Sequence, residues 1–228
     1  MAACVPMPTA QAPFPVGRAQ LVLPPGEWVD LGHTDQFLPL LPELGATVPL
    51  QTRSVGLRGP NQQWLALLQV QTNSTNSPRP HTLWTEDCPQ QQGVLVEDAT
   101  ALKTATATLT SAVRIDCLRF RRAADYEGWL GKNDPLLAQW LTRHSATPSQ
   151  TYSYLHYRYA TEGGAFAEIT AVVDQRLLRP PTHNNQEFLQ AGQPARAWIH
   201  AVAHAVRQST AMLDGQLALP PFPIAPPH

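Results

Sequence analysis

Three cysteines, Cys4, Cys88 and Cys117, are the most reactive side chains in this sequence. A catalytic thiolate needs a neighbouring base, and usually a helix N-terminus, to lower its pKa, and nothing near Cys88 or Cys117 in sequence supplies either. Two cysteines beside short strands instead predict a Cys88–Cys117 disulfide formed in an oxidising compartment. Closing a loop of about 30 residues would stabilise the fold by roughly 3 kcal/mol in the chain-entropy picture. Two unpaired structural thiols are the alternative, with catalysis or metal binding behind them.

Cys4 has a different context. Met1, Ala2 and Ala3 precede it and a Pro-rich stretch follows, as at the end of a bacterial lipoprotein signal, which would make Cys4 a lipidation site. Ala10, Gln11 and Ala12 also fit the A-x-A form of an ordinary export cleavage site, although Pro13 after it is unfavourable. Neither reading has a charged n-region or a full apolar h-region in front. The expectation is a protein of the periplasm or cell envelope; the alternative is a cytoplasmic one.

Three histidine or carboxylate groupings could carry chemistry. His200 and His204 are spaced i, i+4, which places both rings on one helix face and could hold zinc. The zinc-protease pattern needs a glutamate after the first histidine, and Ala201 stands there. Solvent-facing histidines are the plainer expectation, and no metal or other cofactor is implied. Tyr152, Tyr154, His156 and Arg158 alternate along a strand, so they share one face and could line a ligand site. The competing expectation makes that row the solvent side of an edge strand, with Leu155, Tyr157 and Tyr159 buried. Glu86, Asp87, Glu97 and Asp98 are adjacent acids near the cysteines, as expected of solvated strand ends. Paired carboxylates hydrolyse only at the right separation, which spacing in sequence does not show.

The formal net charge of -1 removes the basic surplus that nucleic-acid binding uses to displace counterions. Arg119, Arg121 and Arg122 form the one dense basic stretch, a phosphate or acidic-partner patch if it is not simply a solvated strand end. Lys103 and Lys132 are the only lysines against fourteen arginines, a skew that fits GC-rich bacterial coding. No run approaches the roughly 18 apolar residues of a membrane span. Phosphate-loop, G-x-G-x-x-G, G-x-S-x-G and C-x-x-C signatures are all missing from the sequence.

Hydrophobic residues at 43% are ample for a core. Prolines crowd both ends, which predicts a tail over 1–25, a single folded domain over 26–213 and a second tail over 214–228. Within the domain, Glu27–Leu31 alternates as a strand. The segments 48–58 and 63–71 read as a hairpin turning at Gly59, Pro60 and Asn61. Trp64, Ala66, Leu68 and Val70 are expected on the core side. Strands follow at 93–97 and 113–120, with an Ala/Thr-rich loop over 99–112 between them. Asn133 or Asp134 caps a short helix that Pro135 begins. Tyr152–Tyr159 and Phe166–Leu178 make a long antiparallel hairpin. A helix from Asn185 to Leu213, broken near Gly192, buries Trp198, Val202 and Val206.

Strand runs without regular β-α alternation predict an α+β fold: a mainly antiparallel sheet with a long C-terminal amphipathic helix packed on it. Two cysteines flanking a variable loop, then a short helix, a long hairpin and a final helix, resemble small bacterial exported proteins of unknown function. The resemblance brings no activity with it. The first expectation is a non-catalytic binding domain with a protein or envelope partner. The alternatives are an enzyme whose site joins His156 and Arg158 to a distant carboxylate, and a subunit of an envelope or secretion assembly.

Overall fold

A computed structural model of the chain describes residues 13–39, 47–75, 88–100, 113–144, 151–211 and 215–226. Seven strands make the main sheet: β3 (Glu27–Pro39), β4 (Thr47–Arg58), β5 (Trp64–Asn73), β6 (Leu95–Asp98), β7 (Val113–Ala124), β8 (Tyr152–Thr161) and β9 (Phe166–Asp174). Their spatial order is β3-β4-β5-β9-β8-β7-β6, and every neighbouring pair is antiparallel. A smaller sheet of β1 (Phe14–Val16), β2 (Ala19–Val22) and β10 (Gln216–Ala218) has β2 in the centre. The helices are α1 (Pro135–His144), α2 (Gln175–Leu178), α3 (Asn185–Gln190) and α4 (Gln193–Ala211). Short helical turns over Tyr126–Leu130 and Gly131–Asn133 lead into α1.

This is the expected α+β fold, and its long C-terminal helix lies on the sheet, while the short helix α1, expected after the fourth or fifth strand, follows the seventh. Helix α4 buries Trp198, Ile199, Val202, Ala203 and Val206 in one core with Leu68, Leu155, Tyr157 and Ile169 of the sheet. Each fully buried aliphatic side chain in such a core contributes roughly 1.5–3 kcal/mol. The small sheet closes the same side through Val16, Leu21 and Leu217. On the opposite face α1 packs Leu137, Ala138 and Leu141 against Trp64, Leu67, Tyr152 and Tyr154. No helix among the described residues is long and apolar enough to cross a membrane.

Several expectations are corrected. Residues 14–22 and 216–218 are strands, so the fold extends into both Pro-rich ends. Pro15 fits because β1 is an edge of the small sheet, where a missing N–H need not break a ladder, and β10 itself carries no proline. Phe222 also belongs to the core, its ring 5.4 Å from that of Trp198. Strand β3 runs on to Pro39, well past Leu31. In β5 a register shift opposite Leu57 and Arg58 splits the expected row. Trp64 turns to the α1 side, and Leu65 joins Ala66, Leu68 and Val70 under α4. An extra residue on one strand has this effect, since side chains alternate with a period of two. Strand β9 stops at Asp174, whose carboxylate accepts from the Arg176 N–H at 2.8 Å and starts helix α2 where strand was expected. The C-terminal helix is broken at the expected place, between α3 and α4.

Candidate functional site

The tyrosine, histidine and arginine row on β8 defines the site. Alternation places Tyr152, Tyr154, His156 and Arg158 on the α1 side of the sheet. Because β8 lies inside the sheet, between β9 and β7, the solvent-edge expectation fails. Tyr152 and Tyr154 are buried, and so are Leu155 and Tyr157 on the other face. Strand β9 brings Glu168 opposite Arg158 and Thr170 opposite His156, while β7 brings Arg119 opposite His156.

Glu168 is the hub. Its Oε1 lies 3.2 Å from His156 Nε2, and its Oε2 accepts from Arg158 Nε at 2.6 Å. The three side chains are 18%, 14% and 20% exposed, so little solvent screens them. Burial pushes the Glu168 carboxyl up. The hydrogen bond and charge of His156, together with those of Arg158, outweigh burial and hold it down at about 2. Arg119 donates to the Gln91 side-chain oxygen, and Gln91 donates in turn to Asn133 at 2.6 Å. His156 Nδ1 and Arg119 Nε are buried and have no hydrogen-bond partner among the described residues.

Apolar residues close the row at both ends. Trp64, Leu137, Leu141, Tyr152 and Tyr154 pack at one end, and Val48, Leu50, Ile115, Ala160 and Phe166 at the other. Asp134 caps α1 by accepting from the Leu137 N–H at 3.2 Å. Burial raises the Asp134 carboxyl; the Leu137 hydrogen bond and nearby His156 oppose that rise, and Glu168 adds to it. Burial likewise raises the Tyr154 phenol, and Asp134 adds to the effect.

A carboxylate held this far below its usual range and hydrogen-bonded by both His156 and Arg158 is a poor proton acceptor at neutral pH. The arrangement ties β8 to β9 by charge and leaves one ring nitrogen uncommitted. A second charged group sits on the α4 side. There Tyr157 donates its hydroxyl to Asp116 at 2.8 Å, and Arg207 of α4 donates to both Tyr157 and Asp116. It anchors the helix to β7 and β8.

Cys88 and Cys117 form a disulfide, which joins the segment before β6 to β7. His200 and His204 are exposed on α4, with His200 Nε2 3.6 Å from a Glu97 oxygen. No group of three metal-ligating side chains occurs among the described residues. Glu97 also meets Arg196, while Asp98 accepts from Thr100. Cys4, Glu86, Asp87 and most of the Ala/Thr-rich segment lie outside the described residues.

Sequence reasoning missed Glu168, Asp116 and Arg207 by name. For Glu168 a signal existed. A hairpin turning tightly over Thr161–Gly164 pairs Ala160 with Phe166, and counting two residues away from the turn on each strand gives Arg158 opposite Glu168. Nothing local announces that Arg207 would meet Asp116, which lies 91 residues away.

The fold and this site define an α+β protein with a partly buried ion cluster on each face of one antiparallel sheet. Comparison with known protein families, with curated proteins and with solved structures finds no match to the chain.

Proposed function

We propose that this chain is a non-catalytic binding domain of the bacterial cell envelope, acting outside the reducing cytosol. The Cys88–Cys117 disulfide is the observation that carries the reading. Such bonds persist in oxidising compartments and are rare where thioredoxin and glutathione keep thiols reduced. Further support comes from Glu168, whose engagement by His156 and Arg158 suits a structural role better than proton transfer. A Pro-rich tether after Cys4 suits attachment to a membrane surface; cleavage after Ala12 would leave the domain free in the periplasm.

Mass spectrometry of the protein from its native source, alkylated without reduction, tests this reading. The expected result is one linked peptide pair containing Cys88 and Cys117, together with processing before or at residue 12. Free thiols at both positions and an intact Met1 would overturn it.

Two further readings have some support. The uncommitted Nδ1 of His156 favours an enzyme working at His156 and Arg158. Strand β3 ends the sheet order among the described residues, and its Phe37 is 71% exposed, which favours a subunit of an envelope or secretion assembly.

A further inference from the structure

Strand β7 carries a register shift against β8 between Arg121 and Ala124. Arg122 and Ala123 therefore leave the ladder, as bulged residues do. The Arg122 carbonyl is satisfied elsewhere, accepting from Ser153 Oγ at 2.8 Å and from Gln175 Nε2. Its side chain swings towards α4 and lies beside Gly192, where an added Cβ would sit 3.7 Å from the guanidinium carbon.

Two cavities meet at this bulge. One, of about 220 Å³, is lined by Arg122 and Arg179 with Ser153 and Gln175. The other, of about 430 Å³, is lined by Arg121, Arg122 and Arg196 with Leu95 and Phe120. Phe120, Arg122, Ala123 and Gly192 belong to both. Arg122 thus lines both cavities, with Arg179 beside it in the first and Arg121 and Arg196 in the second, while the Arg121 guanidinium stacks 5.1 Å from the centre of the Trp129 ring. Arg196 has Glu97 at 3.4 Å, and Arg121 donates to the carbonyls of Gly93 and Ala123. Among the described residues, neither Arg122 nor Arg179 has a carboxylate partner. Guanidinium groups that line one cavity and have no carboxylate of their own leave their donors open to an oxyanion placed between them.

We propose that this cleft binds a small organic anion. Arg122 and Arg179 hold its oxyanion head, and its apolar body lies over Phe120 and Leu95. This deepens the binding-domain reading and rests on it. The volumes suit a ligand of one ring or less, and planar guanidinium groups fit carboxylate and phosphate alike through paired hydrogen bonds.

Isothermal titration of the full chain with phenyl phosphate, benzoate, inorganic phosphate and benzyl alcohol tests the cleft. Phenyl phosphate or benzoate should bind saturably and more tightly than inorganic phosphate, with no binding of neutral benzyl alcohol. Preference for phenyl phosphate assigns a phosphoryl ligand, and preference for benzoate a carboxylate. Arg122→Gln and Arg179→Gln should each weaken binding about tenfold. Arg143→Gln, which removes the same charge from exposed α1 surface, should leave binding unchanged. In the unaltered chain, ligand should shift the amide resonances of Ala123 and Gly192, a readout independent of how the variants fold. Absence of saturation by about 10 mM, or an affinity in both cleft variants unchanged from that of the unaltered chain, would overturn the cleft and leave the binding-domain reading standing. Release of phosphate from phenyl phosphate would do the reverse, overturning the non-catalytic reading while leaving the cleft in place.

Discussion

The Glu168 cluster and the arginine cleft use the same cationic side chain in opposite electrostatic states. In the cluster, Arg158 and His156 share one carboxylate and are largely hidden from water. In the cleft, Arg122 and Arg179 face a cavity and meet no carboxylate among the described residues. Desolvation explains the difference. A charge taken out of water must be paired or neutralised, whereas a charge at the wall of an open cleft keeps its hydration. Pairing thus marks where charge holds the fold together, and lack of pairing marks where charge remains available to something else.

The largest break in this contrast comes from Glu168→Ala. It strands His156 and Arg158 without a counter-charge, and should cost about 3–5 kcal/mol in a urea unfolding series. A cost below about 1 kcal/mol would place the cluster with ordinary surface pairs.

Acid acts on the same bond more gradually. Glu168 is held below the usual carboxylate range, so its stabilisation is complete above about pH 4.5 and fades as pH falls towards 2. Up to about 3 kcal/mol should disappear across that window. Glu168→Gln should flatten the dependence, and an unchanged slope in that variant would assign acid sensitivity to other carboxylates.

Asp134→Ala, which removes only the cap of α1, should cost about 1 kcal/mol. The smallest effect sharpens the contrast most. Arg122→Gln and Arg179→Gln should each change stability by less than about 0.5 kcal/mol without ligand, with a slight gain if repulsion is relieved. Thermal melts at low and high salt check this, because screening should erase any gain.

Alternation made the strands of the sheet legible, and periodicity made α4 legible. Alternation did not show which strands would be covered on both faces. The β8 row looks half-polar in sequence, yet β8 and β9 lie inside the sheet with α4 on one side and α1 on the other, so Tyr152 and Tyr157 are both fully buried. The single extra residue in β5 was also silent, because Trp64 and Leu65 are equally apolar and either could face the α4 core. Proline content misled at the ends. The Pro24 carbonyl accepts from the Trp28 indole at 2.8 Å, so a segment without helix or sheet propensity is held by a side chain that follows it. The arginine cleft was half legible. Arg121 and Arg122 stand together in sequence, but Arg179 and Arg196 join them only through the turn after α2 and the start of α4.

Strands β2 and β10 run in parallel, with Leu21 beside Leu217. The first strands of the fold therefore complete their sheet only when a strand from the far end of the described residues is present. Before that strand is made, Val16 and Leu21 lack their final cover and stay open to other apolar surfaces. Removing the last dozen residues should leave the domain in the same unfinished condition.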